Sequence, residues 1–229
     1  MIRGIDVSDA QGVIDWATEA AAGIQFAIIK CSTGNDPGVD KRFAANVASA
    51  RKAGITVGGY HFGYPLPTDA AHPGRDPESQ AKTAFDKFAG LGTVAGDLPP
   101  VLDLEWPTVP DWTKWACNAE QIRAWGLAFL HAAENLWGCK PFLYSYPDFL
   151  KQIAVGAEPG YADYPLWMAD YSKYQHAPPP DGASPVIPAP WTDWALWQHS
   201  GNTLTLPNSK TICDYDVMNG DIADWVRGA

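Results

Sequence analysis

Val101-Leu102-Asp103-Leu104-Glu105-Trp106 is an apolar run that delivers two carboxylic acids at its end. The stretch 100–105 reads as a short strand. Positions i and i+2 of a strand face the same side, so Asp103 and Glu105 point into one cavity, their Cα atoms roughly 7 Å apart. Upstream, 77–90 has helical period and opens with Asp76 then Pro77, the N-cap-and-proline start that helices favour. Downstream, 118–137 is a second helix and 141–146 a second apolar strand. An apolar strand between helices is the repeating unit of a parallel sheet covered on both faces.

The same alternation runs along the whole chain. Strands are expected over 2–7, 25–31, 56–61, 100–105, 141–146, 165–169, 195–199 and 211–215, and the clearer helices over 13–22, 41–53, 77–90 and 118–137. The helix 41–53 puts Phe43, Val47 and Ala50 on one face, and Gly54 ends it. Eight strands in 229 residues suggest a closed or nearly closed barrel. Helices thin out after Tyr146, the proline-rich stretch 178–191 reads as a long irregular loop, and the last two strands leave little room for a helix between them. The expectation is a single α/β domain over 1–229, an irregular, incomplete TIM-like β/α barrel.

Composition limits the function. Sixteen Lys and Arg against 26 Asp and Glu give a net charge of -10, which excludes a fold-wide positive field for nucleic acid or anionic membrane. No stretch approaches the ~20 apolar residues of a membrane span, and the N-terminus lacks the basic-then-apolar pattern of a signal peptide. The 11 Trp, nine Tyr and eight Phe serve mostly as core, with some rings available to pack on the C–H face of a sugar. Cys117 and Cys139 flank a helix whose ends lie roughly 30 Å apart, far beyond disulfide reach. With no CxxC or His/Cys cluster, four reduced, mostly buried thiols are expected.

In parallel β/α barrels chemistry gathers at the carboxyl ends of the strands. Those ends carry Asp6, His61, Asp103 with Glu105, Tyr146, Asp170, Gln198, and Asp214 with Asp216. Acids inside apolar runs are costly unless paired or used. For Asp103 and Glu105, mutual repulsion and the neighbouring Trp106 should raise one pKa and leave the other group ionised, the division of labour of glycoside hydrolysis. Backbone spacing is compatible with the close carboxyl gap of retaining enzymes and with the wider inverting gap. A purely structural pair, satisfied by backbone N–H groups or a buried Arg, is the plainer alternative, and few of the basic residues fall near strand ends. Asp6, Asp103, Glu105, Asp214 and Asp216, joined by His61, could also form an all-oxygen-dominated Mg²⁺ or Ca²⁺ site. Acid–base chemistry without metal or cofactor is the favoured reading. No G-x-S-x-G elbow and no phosphate-binding loop occur.

Taken in order, Gly4-Ile5-Asp6-Val7-Ser8 with Trp16, Phe26-Ala27-Ile28-Ile29-Lys30, Gly59-Tyr60-His61-Phe62, Leu102-Asp103-Leu104-Glu105, Tyr144-Ser145-Tyr146, Leu166-Trp167-Met168-Ala169-Asp170-Tyr171, Trp197-Gln198-His199-Ser200 and Cys213-Asp214-Tyr215-Asp216 resemble the glycoside hydrolase family 25 muramidases, the lysozymes that include many phage endolysins. The resemblance spans essentially the whole chain. It implies a flattened, incomplete β/α barrel that cleaves the β-1,4 bond between N-acetylmuramic acid and N-acetylglucosamine, with peptidoglycan strands as partner, no cofactor and a monomeric state. Glu105 resembles the general acid. Asp103 resembles the carboxylate beside it, facing either the substrate's 2-acetamido group or the oxocarbenium-like centre, and Asp6 and Asp214 resemble two further acids of the cleft. Tyr60, His61, Tyr146, Trp167, Asp170, Gln198 and Asp216 are the implied substrate contacts.

This chain departs from the family where His199 replaces a frequent Tyr, and where the stretches 68–77 and 178–191 are long. No wall-binding repeats follow the barrel, and the negative charge offers no attraction to anionic wall polymers. The resemblance implies an endolysin made in a host cytoplasm and released to the wall for host lysis, or a secreted enzyme whose leader was removed. A non-catalytic wall-glycan binding module, and a barrel hydrolase for another amino-sugar polymer such as chitin or a metal-dependent deacetylase, are the alternatives.

Overall fold

Parallel pairing, one strand after the next, carries the chain around a ring that closes on itself. The structure, a computed structural model, describes residues 1–34, 40–66, 75–91, 96–106, 117–207 and 210–226. The strands are β1 (Ile2–Val7), β2 (Phe26–Thr33), β3 (Thr56–Phe62), β4 (Val101–Asp103), β5 (Phe142–Ser145), β6 (Leu166–Ala169), β7 (Leu196–Thr205) and β8 (Ile212–Met218), in that order around a closed barrel. The helices are α1 (Trp16–Ala21), α2 (Phe43–Lys52), α3 (Pro77–Ala89), α4 (Ala119–Trp137) and α5 (Pro147–Gln152). The TIM-like α/β reading therefore holds, and the strand ring is complete.

The irregularity lies in the last strand. β8 runs antiparallel to both β7 and β1. The connection 206–211 is shorter than the dozen or more residues a parallel crossover needs, so the chain can only turn back as a hairpin. The tail of β7 and the start of β8 then continue as a ribbon, with Leu204 opposite Cys213 and Thr205 opposite Ile212. This corrects the placement of Asp214 and Asp216 at a carboxyl end. They lie in the first part and the middle of a reversed strand, and reversal brings that part to the rim where the other strands finish.

Alternation hidden inside the apolar runs sorts each strand's two faces. Phe26, Ile28, Leu98, Val101, Phe142, Tyr144, Trp167, Leu196 and Met218 fill the barrel. Leu102 and Leu104 point outward to α4 and α5 with Leu143, Leu166, Met168, Phe129 and Phe149. Ile5, Ala27, Ile29 and Val57 meet Phe43, Val47 and Phe88 of α2 and α3. Two buried faces explain why the strands read as uniformly apolar.

Local chemistry sets the helix ends as the sequence suggests. Asp76 accepts from the Ser79 N–H at 2.7 Å, with Pro77 opening α3. Asn118 and Gln121 form a reciprocal capping box on α4, which Gly138 closes in the left-handed region. Gly54, at φ +80°, follows α2. The short α5 was not anticipated, although Pro147 supplies its start. The stretch 178–191 has no helix or strand; the loop expected over 68–77 falls mostly outside the described residues. Cys31 and Cys213 are buried thiols, and burial pushes Cys31 up to about 11. Cys117 and Cys139 are half-buried rather than buried.

Candidate active site

A cleft of about 90 Å³ opens at the rim where β1 to β7 end, lined by Asp6, Tyr60, Asp103, Glu105, Tyr144, Trp167, Gln198 and Asp214. Every strand parity in this set follows the barrel interior. Asp103 and Glu105 continue the inward row begun by Val101, Tyr144 the row of Phe142, and Gln198 the row of Leu196. All four acids placed in the catalytic set from sequence, Glu105, Asp103, Asp6 and Asp214, meet here.

Burial governs the electrostatics. Asp103 is 5% exposed, and its Oδ1 has no hydrogen-bond partner among the described residues. Its pKa is held well above the ordinary range by desolvation, then by Glu105, with Lys30 pulling the other way. Glu105 is half-buried, and desolvation raises it to about 7; Lys30 lowers it and Asp214 raises it. Asp214 is raised by desolvation, while the Asn202 N–H, donating to its Oδ1 at 2.7 Å, opposes the rise. Two adjacent, largely desolvated carboxyls cannot both ionise cheaply, so the Asp103–Glu105 pair keeps a proton toward neutral pH.

Gln198 is the hub of the opposite wall. Its Oε1 accepts from the hydroxyls of Tyr144, at 2.8 Å, and Tyr171. With the carbonyl end so occupied, the amide must turn its Nε2 to Asp6, and it donates to Oδ2 at 2.5 Å. Trp167 lines the cleft while its indole N–H donates to Asp216 Oδ1 at 2.9 Å.

The implied substrate contacts divide. Tyr60, Trp167 and Gln198 line the cleft. Tyr146 stands beside it at the start of α5, where burial, then the Glu105 carboxylate, push its hydroxyl up to about 12. Asp216 does not line the cleft; it is 1% exposed, behind Asp6 and Trp167. His61 is also away from it. It follows the inward Tyr60 on β3, so alternation sends its ring outward, stacked 5.2 Å from Phe129. Gln80 uses its Nε2 on the carbonyls of Tyr64 and Arg75, so its Oε1 accepts from His61 Nε2, and His61 Nδ1 accepts from Ser32 Oγ at 2.9 Å. Desolvation lowers His61 to about 4, a neutral wall residue. Asp170 is spent on structure: its carboxylate accepts from the N–H groups of Ser172 and Val186 and ties down the 171–186 loop.

Three residues were missed as site members. Lys30 extends the inward row of Phe26 and Ile28 on β2 and lies 5.2 Å from the Phe62 ring centroid and 5.8 Å from that of Tyr60. Its signal was parity at a strand end. Tyr144 had the same signal, whereas Tyr171 reaches the hub from a loop and had none.

A β/α barrel that gathers carboxyls around a small cleft, one of them an accessible acid tuned to neutral pH, is the architecture of a glycosidase. Comparison with known proteins narrows the class. Residues 5–206 match the family described as Glycosyl hydrolases family 25, and the chain belongs to that family. It is 28% identical over 223 residues to Lysozyme M1 of Streptomyces globisporus, covering 97% of this chain and 69% of that protein. It is 29% identical over 207 residues to the N,O-diacetylmuramidase of Chalaropsis sp, covering 87% and 88%. The crystal structure of the bacterial lysozyme from Streptomyces coelicolor is similar at a TM-score of 0.79 and 28% identity, covering 98% of this chain and 94% of that one. A family GH25 lysozyme from Aspergillus fumigatus follows at 0.78 and 27%, covering 97% and 96%.

Proposed function

We propose that this protein is an N-acetylmuramidase, a lysozyme that hydrolyses the β-1,4 bond between N-acetylmuramic acid and N-acetylglucosamine in bacterial peptidoglycan. The observation that carries the reading is the Asp103–Glu105 pair at the end of β4, inside the cleft of a family 25 barrel. The names of two relatives, a lysozyme and an N,O-diacetylmuramidase, support it. Glu105, protonated near neutral pH and open to the cleft, gives its proton to the glycosidic oxygen as the C1–O bond breaks. Positive charge developing at the anomeric carbon meets the acids that face the cleft, Asp103, Asp6 and Asp214, and water completes the hydrolysis. The orphaned Asp103 Oδ1 suits an N–H of the substrate's 2-acetamido group, which would supply its missing partner. Tyr60 and Tyr146 offer ring faces and hydroxyls to the sugars.

The test is digestion of purified peptidoglycan by the wild type and by Glu105→Gln, reduction of the products and mass spectrometry of the new ends. Reduced muramic acid ends from the wild type alone are the expected result. Reduced glucosamine ends would assign the other bond, and no new ends from the wild type would leave a wall-glycan binding module. Among the described residues no helix is long and apolar enough to cross a membrane. The bacterial cell wall is the place of action this reading implies.

A further inference from the structure

Behind Asp6, which lines the cleft, lies a further carboxyl, Asp216, that the reaction as described does not use. β1 and β8 are antiparallel with Asp6 opposite Asp214 and Gly4 opposite Asp216. Asp6 and Asp216 are therefore diagonal neighbours on the same inward face, close enough for their side chains to meet. Their carboxyls bear on each other with opposite sign: Asp216 raises Asp6, while Asp6 lowers Asp216. Both are buried, Asp6 at 8% exposure and Asp216 at 1%.

The remaining hydrogen bonds account for one oxygen on each. Asp6 Oδ2 accepts from Gln198 Nε2, and Asp216 Oδ1 accepts from Trp167 Nε1. Asp216 Oδ2 has no donor among the described residues and is fully buried. Two acceptor-only carboxylates in contact would leave that oxygen orphaned beside a like charge, which a desolvated site does not tolerate. One proton placed between them removes both problems, since a carboxylic O–H is a donor.

We propose that Asp6 and Asp216 share a single proton, and that Asp216 is through it the positioning residue that fixes the Asp6 carboxyl at the edge of the cleft. Among the described residues, the donors facing the pair are already engaged. Gln198 on β7 gives its N–H to Asp6, Trp167 on β6 gives its N–H to Asp216, and the hydroxyls of Tyr144 and Tyr171 are turned to Gln198. Asp214 on β8 and Asp103 on β4 add negative charge, as Tyr60 on β3 would if it ionised. Lys30 on β2 bears on Asp103 and Glu105 instead. Desolvation and this surrounding charge hold both members of the pair well above the ordinary carboxylate range. As pH rises and the shared proton leaves, the two carboxylates repel, Asp6 loses its inner anchor, and hydrolysis falls more steeply than loss of the Glu105 proton alone would cause.

The kinetic consequence rests on the muramidase reading; the shared proton does not. The test compares the wild type with Asp216→Asn, whose amide N–H replaces the shared proton, and Asp216→Leu, which cannot donate. In a carbon-13 NMR titration of aspartate carboxyls, the Asp6 and Asp216 resonances of the wild type are expected to move together in one late step, and the Asp6 resonance of Asp216→Asn to titrate at lower pH. Against peptidoglycan, Asp216→Leu is expected to lose about 100-fold in kcat at similar KM, the scale of a misplaced group. Asp216→Asn should keep a much larger share, with an alkaline limb of log(kcat/KM) shallower by about one proton. An Asp6 resonance that titrates as late in Asp216→Asn as in the wild type overturns the proposal, as does wild-type kcat in Asp216→Leu. If Asp216→Leu does not fold, the titration and the Asp216→Asn profile decide. If the wild type cleaves no peptidoglycan, the function falls and the titration alone decides the shared proton.

Discussion

Glu105 is tuned by its surroundings at a cost to the fold. Burial lifts its pKa to about 7, so above that pH the folded state carries a desolvated carboxylate that the unfolded chain would leave in water. Glu105→Gln is expected to lower kcat by about 10²–10⁴-fold, the usual contribution of a general acid. The same variant should raise Tm, and by more at pH 8 than at pH 5, measured by calorimetry. Lys30 pulls both Glu105 and Asp103 downward. Lys30→Met should therefore move the alkaline limb of kcat/KM to higher pH, and an unmoved limb would remove Lys30 from the electrostatics of the cleft. Much of the site was legible at this scale because acids in apolar runs are conspicuous. His61 shows where the reading failed: adjacent strand residues face opposite ways, so Tyr60 and His61 could not both reach one cleft.

At the scale of elements, the strands were easier to find than their directions and the helix caps were easier than the packing. Asp76 and Pro77 declare the start of α3 locally, and Asp76→Ala should cost about 1 kcal/mol by urea denaturation. Gly4 carries no comparable local signal. A Cβ there would sit 2.3 Å from the Phe26 ring on the neighbouring strand, because the barrel interior uses the missing side chain to seat that ring. Gly4→Ala is expected to destabilise by about 1–3 kcal/mol through overpacking, more than loss of the α3 cap. The reversed β8 follows from a loop length that was visible in the sequence. Its consequence, Asp214 at the active rim from the first part of a strand, required the pairing with β1 and β7.

For the whole molecule, the acid array sets how stability responds to pH. Asp6, Asp103, Asp216 and Glu105 all have folded pKa values raised by burial. Their contribution is complete below the ordinary carboxylate range and is lost as pH climbs through the folded values. His61, lowered to about 4, works the other way: the unfolded chain binds its proton more readily, so stability falls as pH drops from about 6.5 toward 4. Asp76 and Asp170, whose carboxylates are held low by the N–H groups they accept from despite some desolvation, lose their contribution in stronger acid. Asp214, Glu19 and Asp40 are raised by burial as well, and His199 joins His61 in being lowered. With the raised acids outnumbering the two histidines, Tm is expected to be highest in mild acid and to decline from pH 5 to pH 8. A Tm that rises across that interval would contradict the burial of the array.

Alternation of apolar strands with capped helices, and acids placed at strand ends, are local properties, and the sequence by itself determined them: a β/α barrel with Asp6, Asp103, Glu105 and Asp214 as the acids of its cleft. Ring closure, the reversed strand and the face each residue presents depend on register around the whole barrel, so only the tertiary structure decided them. The contact between Gln198 and Asp6 joins residues 192 apart in the chain, and Asp6 and Asp216 are diagonal neighbours only because the first and last strands pair. No local pattern encodes such contacts, since they arise when distant strands are held at fixed spacing by backbone hydrogen bonds.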